Sequence, residues 1–170
     1  MRTAWLIAAT VVALTLQTSL ARLVTRGNLA VDLVLVVVVY AALASGPVAG
    51  LLTGTCAGLV QDALSTGVVG IGGLAKTIVG FLAGVVGTEF IVAHTPSRFV
   101  VFFAGTVVHA VVFVGLYEVL GLRDFGKPYV ATLEQALGNA VIGVVVFQLI
   151  ERLPAAVERR RLNSRARSRR

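Results

Sequence analysis

Long apolar runs follow one another along almost the whole chain, separated by short polar or glycine-rich turns. Most of these runs are near the length of about 20 residues that a helix needs to cross a hydrocarbon core of about 30 Å. Charges and turn residues divide the runs into six predicted spans near residues 4–21, 30–45, 47–64, 70–92, 99–120 and 131–150. The pattern therefore predicts an all-α integral membrane protein with about six transmembrane helices in one domain, residues 1–153.

The composition supports a lipid environment. Of the 170 residues, 57% are apolar and 14% are charged, and the mean hydropathy is +0.91. Two alternatives concern the number of spans. Only Ser45-Gly46-Pro47 separates the second run from the third, so merging them would give five spans. The first run also resembles a secretory signal, although we expect it to remain as a helix.

The C-terminal segment, residues 154–170, is a basic tail that carries most of the net charge of +7. We assign the following arginines to the membrane surface: Arg159, Arg160, Arg161, Arg165, Arg167, Arg169 and Arg170. Positive residues favour the cytoplasmic side, so we expect both termini there. The tail lacks the interleaved aromatic residues of nucleic-acid-binding segments, whereas basic clusters beside a membrane bind anionic headgroups. The expected partner is the lipid bilayer, with no nucleic acid.

Glycines recur every four residues along the third predicted span, at Gly46, Gly50, Gly54 and Gly58. The fourth span continues the pattern with Gly80 and Gly84. Helices in lipid associate through close backbone contact, which small residues permit. We expect these glycines to pack helices inside the protein, the alternative being contact with a partner. Gly54→Leu should then separate helices, whereas Gly54→Ala should be mild.

Two ionisable residues, Asp62 and Lys76, lie near the turn that joins the third and fourth spans. A charge at membrane depth is costly unless it is paired or hydrated, so we consider a polar pair between them. An equally good interpretation is that Asp62 caps the turn while Lys76 extends toward the surface. A third interpretation, a polar cavity or proton path, is weaker. His109 is deep enough to require a neutral or hydrogen-bonded state.

The sequence contains no pattern typical of catalysis or metal binding. The two histidines lack metal-ligand spacing, and the single cysteine, Cys56, excludes an intramolecular disulfide. No nucleophile and base have a spacing that fixes their mutual geometry. We therefore predict a protein that is not an enzyme and has no cofactor.

The central segment resembles the rod shape-determining protein MreD family in the order of its features. These are an Asp-Leu pair at the second span, a Gly-Pro turn, spaced glycines, an acid before a Ser/Gly turn, a glycine and then a leucine after that turn, and a glycine-aromatic pair in the following span. In this chain they are Asp32-Leu33, Gly46-Pro47, Asp62, Gly70, Leu74 and Gly80-Phe81, and the N-terminal Leu16-Gln17-Thr18 is also similar. About half of the chain carries the resemblance, and Lys76 and the length of the Arg-rich tail depart from it.

The resemblance implies a non-enzymatic scaffold in the bacterial cytoplasmic (inner) membrane, within the cell-elongation complex that directs peptidoglycan synthesis. Implied partners are an MreC-like bitopic protein, a RodA-type polymerase, an elongation penicillin-binding protein and, indirectly, MreB. The implied fold is similar to the substrate-binding component of energy-coupling-factor transporters. Because of that similarity, the alternative function is the substrate-binding membrane component of an energy-coupling-factor vitamin transporter.

Overall fold

The computed structural model describes residues 2–23, 31–65, 67–90, 92, 94–122, 125 and 129–167, with side chains except in 2–4, 20–23 and 153–167. The described residues form helices and turns, without strands. The helices are α1 (Arg2–Leu23), α2 (Leu33–Ser45), α3 (Pro47–Leu64), α4 (Ile71–Glu89), α5 (Thr95–Val119) and α6 (Tyr129–Arg167).

Local sequence signals explain where three of the helices begin. Asp32 caps α2, because its Oδ1 accepts a hydrogen bond of 3.0 Å from the backbone N–H of Leu35. Between α2 and α3 the chain turns at Gly46, whose φ of +89° favours glycine, and Pro47 opens α3. Gly70, with φ of +109°, plays the same role before α4. The second and third predicted spans are therefore two separate helices.

Consecutive helices run in opposite directions, so α2, α4 and α6 begin at one end of the bundle, where α1, α3 and α5 end. Contacts that set this arrangement include Gln17 with Leu33 and Arg98 with Glu151. We name the end that contains Asp32 and Asp62 the polar end. Helix α2 occupies the centre, where it contacts all five other helices. Its valine-rich sequence is apolar on every side, as expected of a buried helix.

Glycine lets α3 and α4 approach until their backbones touch, and this is the most extensive helix contact in the described residues. Gly50 lies against Gly80, and Gly58 lies against Gly73. One turn before Gly58 along α3, the backbone carbonyl of Lys76 lies where a Gly54 side chain would begin. The same interface contains a hydrogen bond of 2.8 Å between the hydroxyls of Thr55 and Thr77. Gly84 packs against Pro47 at the opposite end.

The observed helices agree with the all-α prediction, and their positions follow the six predicted spans. By length and composition, three described segments are able to cross a membrane: Ile71–Glu89, Thr95–Val119 and Tyr129–Arg152. Trp5–Ser19 and Leu33–Ser45 are shorter apolar helices. That all six helices cross the bilayer stays a prediction. Helix α6 also continues beyond the predicted span into the basic segment, as far as Arg167.

The structure contradicts the expectation that Gly54→Ala is mild. A Cβ at this position would collide with the carbonyl oxygen of Lys76, a backbone atom that cannot rotate away. We expect Gly54→Ala to lower the free energy of unfolding by about 1–3 kcal/mol, the usual range for overpacking, and Gly54→Leu to lower it further. Thermal unfolding of the purified protein in detergent measures the effect.

Gly115→Ala is the matched control, because no heavy atom lies within 4 Å of its added Cβ in the interior of α5. Alanine is the better helix former, so this variant should be neutral or slightly stabilising. Equal unfolding midpoints for Gly54→Ala and Gly115→Ala would contradict the packing interpretation.

Candidate functional site

Seven polar or charged residues are buried among the described helices of this apolar bundle. They are Asp32, Asp62, Lys76, Arg98, Thr106, His109 and Asn139. Because unpaired polar groups at membrane depth are costly, their partners decide whether each one is structural or free to act. Six of the seven lie toward the polar end or in the middle of the bundle, and Arg98 lies at the opposite end.

The centre of the site is a buried chain of three side chains, Asp32, Lys76 and His109. The Nζ of Lys76 lies 2.9 Å from Oδ2 of Asp32 and 3.2 Å from Nε2 of His109. Lys76 donates to that ring nitrogen in the tautomer that carries its proton on Nδ1. The side chains of Lys76 and Asp32 are only 4% and 7% exposed, so the charges compensate each other where water is nearly excluded.

A second layer of hydrogen bonds fixes the backbone around Asp32. The N–H of Asp32 donates to Oδ1 of Asn139 at 2.8 Å, and Nδ2 of Asn139 donates to the hydroxyl of Thr106 at 3.1 Å. From α1, Oε1 of Gln17 accepts from the N–H of Leu33 at 2.9 Å. With Lys76 on α4 and Thr106 on α5, five helices meet through polar contacts at the start of α2.

Asp62 and Lys76, which we considered as a pair, do not pair with each other and have different partners. Oδ2 of Asp62 accepts from the backbone N–H groups of Gly70 and Gly73, both at 2.9 Å. These N–H groups belong to the start of α4, where helical donors lack partners within the helix and attract a carboxylate. The capping interpretation therefore describes Asp62, and the ion-pair partner of Lys76 is Asp32.

Asp32 was not predicted as the partner of Lys76, because it lies two helices away in sequence, whereas Asp62 lies just across the nearest turn. Helices α2 and α4 are parallel and both begin at the polar end, so charges near their starts lie at similar depth. The sequence contains this signal. The two helices α2 and α3 form a hairpin between Asp32 and Lys76, so α4 begins at the same end of the bundle as α2. His109 is hydrogen-bonded to Lys76, as expected from its depth. The carboxylates of Glu89, Glu118 and Glu134 belong to exposed residues near helix ends.

A cavity of about 430 Å³ opens at the polar end and reaches the buried chain of charges. We name it the polar cavity. It is lined by Gln17, Asp32, Gln61, Asp62, Ser65, Gly72, Lys76, His109, Ala110, Phe113, Val114, Phe125, Ala131, Thr132, Glu134 and Gln135. Two further grooves, of about 460 and 680 Å³, flank α1 and are lined mainly by apolar residues. The described residues contain no group of three or more His, Cys, Asp or Glu side chains that could hold a metal ion.

At the opposite end, Arg98 joins α5 to α6. Its Nη1 and Nη2 bind the two carboxylate oxygens of Glu151 at 2.7 and 2.8 Å, and its guanidinium lies 4.0 Å from the ring centre of Phe147. A planar fork paired with both carboxylate oxygens holds a fixed orientation. The contact therefore anchors α6 just before the basic segment.

The predicted glycine and arginine sites have different positions. Gly50, Gly54, Gly58, Gly80 and Gly84 lie between α3 and α4, whereas Gly46 is the turn before α3. The backbone of α6 includes Arg159, Arg160, Arg161, Arg165 and Arg167, but their side chains lie outside the described part of the chain. Arg169 and Arg170 lie outside the described residues altogether.

Comparison with known proteins gave one match, to a family model. The family model described as rod shape-determining protein MreD matches residues 1–154 of the chain. Neither the curated proteins nor the solved structures gave a match. The expected similarity to the transporter component is therefore not confirmed.

We expect Lys76→Met to destabilise the protein by about 3 kcal/mol or more, because it leaves Asp32 as an uncompensated buried charge. The double variant Asp32→Asn/Lys76→Met should recover part of this loss, since no lone charge remains. A double-mutant cycle from unfolding in detergent measures the coupling free energy between the two residues.

Asp62 provides the matched control, since it is a second buried carboxylate that lines the same cavity but bonds to backbone N–H groups. The cycle of Asp62→Asn with Lys76→Met should give a clearly smaller coupling free energy. If the Asp62 cycle gave the larger value, the assignment of Asp32 as the partner of Lys76 would be wrong.

Proposed function

Because this chain belongs to the rod shape-determining protein MreD family, it is a membrane component of rod-shape determination, and we propose that it acts as a scaffold rather than an enzyme. In this proposal it binds an MreC-like bitopic protein, a RodA-type polymerase and an elongation penicillin-binding protein, and connects indirectly to MreB. The observation that carries the proposal is the family match over residues 1–154.

The state of the buried polar groups supports a structural role for the core. Asp32, Lys76 and Asn139 bond to one another or to neighbouring backbone, and Asp62 caps a helix. Groups engaged in this way hold helices in register. A rigid core suits a protein whose surface must present fixed binding faces to several partners.

We place the protein in the bacterial cytoplasmic membrane with both termini in the cytoplasm. The basic C-terminal segment supports this orientation through the positive-inside rule, and Arg98 lies at the same end of the bundle. The polar end, with its cavity, would then face away from the cytoplasm.

The surface around α1 is our candidate for partner binding. Helix α1 packs on α2 and on the edge of α3. An apolar groove lies on each of its sides, and exposed side chains such as Val11, Val12 and Leu52 border them. A transmembrane helix of a partner that fills the groove between α1 and α3 would gain packing contacts that lipid chains make less well.

The transporter alternative has no support from the comparisons. The MreD match and the transporter hypothesis predict different neighbours in the membrane, so the partners discriminate between them. A vitamin-binding component would associate with a coupling protein and its ATPases.

The first test is to purify the tagged full-length protein from its native host in detergent and identify the bound proteins by mass spectrometry. We expect an MreC-like protein and wall synthases. Recovery of a transporter coupling protein with ATPases, and no elongation proteins, would contradict the scaffold proposal.

A second test uses Cys56, the single cysteine of the chain, which is exposed in the groove between α1 and α3. A thiol-reactive photo-crosslinker on Cys56 should capture a transmembrane helix of a partner because that helix fills the groove. The matched control carries Cys56→Ser and Val145→Cys, which moves the probe to an exposed position of α6 that lines neither groove. Equal capture from both positions would exclude this groove as the specific interface.

A further inference from the structure

His109 makes a hydrogen bond that it can make only while its ring is neutral. Its Nε2 lies 3.2 Å from Nζ of Lys76, and the same Nζ lies 2.9 Å from Oδ2 of Asp32. An ammonium group can only donate, so Nε2 must be the ring nitrogen without a proton. A protonated imidazole carries a proton on both nitrogens and has no acceptor. Protonation of His109 would therefore break the contact.

The position of the ring makes the protonated state costly. His109 is only 7% exposed, and its ring stacks on Phe113 with centres 5.7 Å apart and planes 20° apart. The ring is therefore held in place beside α4. A proton on Nε2 would add a second positive charge 3.2 Å from the ammonium of Lys76. Like charges repel strongly where burial limits their hydration.

The other charged groups around His109 do not remove this conflict. On α2, Asp32 attracts a proton to the ring, but its Oδ2 already compensates Lys76. On α3, Oδ2 of Asp62 accepts from two backbone N–H groups at the start of α4. On α6, Glu134 lines the polar cavity but is exposed. One buried carboxylate therefore faces two cations in the protonated state, which favours movement of α5 away from Lys76.

The polar cavity gives protons a route to the ring. It opens at the polar end, has a volume of about 430 Å³ and is lined by Asp32, Lys76 and His109 among others. This space is large enough for several water molecules, each of which occupies about 30 Å³. Histidine is also the side chain whose charge ordinarily changes between about pH 5 and 8. The contact between α4 and α5 thus depends on a group that mild acid can protonate.

We propose that His109 is a pH-sensitive switch between α4 and α5. The neutral ring accepts from Lys76 and holds the two helices together at the polar end, whereas the protonated ring repels Lys76 and loosens α5. Above about pH 6.5 the ring is neutral in both the closed and the open form. Below about pH 6.5 the open form takes up a proton that the closed form opposes, so acid favours opening. The switch is a property of the fold and does not depend on which partners the protein binds.

Hydrogen–deuterium exchange, read by mass spectrometry, tests the switch in the detergent-solubilised full-length protein. The wild type and His109→Gln are compared at the same pH, so the intrinsic effect of pH on exchange cancels. Glutamine offers Lys76 an acceptor oxygen and does not take up a proton in this range. We expect the ratio of wild-type to variant exchange rates around residue 109 to rise about tenfold from about pH 7.5 to 5.5, the protonation factor of an ordinary histidine.

The chain offers two controls. His94 is the second of its two histidines and is exposed at the start of α5, so His94→Gln should keep the pH response of the wild type. The segment of α3 that packs on α4 through Gly50, Gly54 and Gly58 makes no contact with His109 in that interface. Its exchange ratio should change much less than that of α5, because the switch loosens α5 locally.

A measurement on the wild type keeps the test informative even if His109→Gln fails to fold. With 15N-labelled histidine, nuclear magnetic resonance gives ring-nitrogen shifts that distinguish the two neutral tautomers from the protonated form. The chain has only two histidines to assign. We expect His109 at about pH 7.5 to be neutral with its proton on Nδ1, because Nε2 accepts from Lys76.

Each outcome decides the proposal. A pH response that is concentrated in α5, kept in His94→Gln and lost in His109→Gln supports the switch. An exchange ratio that does not change with pH, or that rises equally in α3 and α5, would overturn it. So would a His109 that is protonated, or that carries its proton on Nε2, at about pH 7.5.

Discussion

The close backbone contact between α3 and α4 is the constraint on which the rest of the bundle depends. Helices in lipid gain little from burying apolar side chains against each other, because the surrounding lipid is equally apolar. Glycines at Gly50, Gly54 and Gly58 remove the side chains that would hold the two helices apart. The contact at Gly54 also fixes the backbone of Lys76 and thereby sets where its ammonium lies relative to α2.

The position of Lys76 then determines the polar arrangement. Asp32 has two tasks, since Oδ1 caps α2 while Oδ2 compensates the lysine. Asn139 and Gln17 bond the backbone on either side of the same residue and draw α6 and α1 to it. The first turn of α2 therefore connects five helices. Because a shifted helix would leave a buried charge unpaired, the same contacts specify the register of these helices.

Much of this fold was predictable, because apolar runs and turn residues report helix positions directly. The break at Gly46-Pro47 was visible in the sequence, and the glycine spacing indicated a packed helix face. The partner of Lys76 was not predicted: the intervening hairpin makes α2 and α4 parallel, but the sequence does not show that these two helices are in contact. Likewise, the space beside Gly54 depends on the distance between two backbones, which a spacing rule alone does not give.

The glycine interface also constrains how the protein can change over generations. At Gly50, Gly54 and Gly58 there is no side chain to shorten, so every substitution adds atoms where a backbone already lies. Exposed positions on the outer helix faces away from the grooves, such as Val100 and Val145, should tolerate many apolar residues. Divergence should therefore accumulate on the lipid-facing surface while the α3–α4 contact stays nearly fixed, so that rates of substitution trace the faces of each helix.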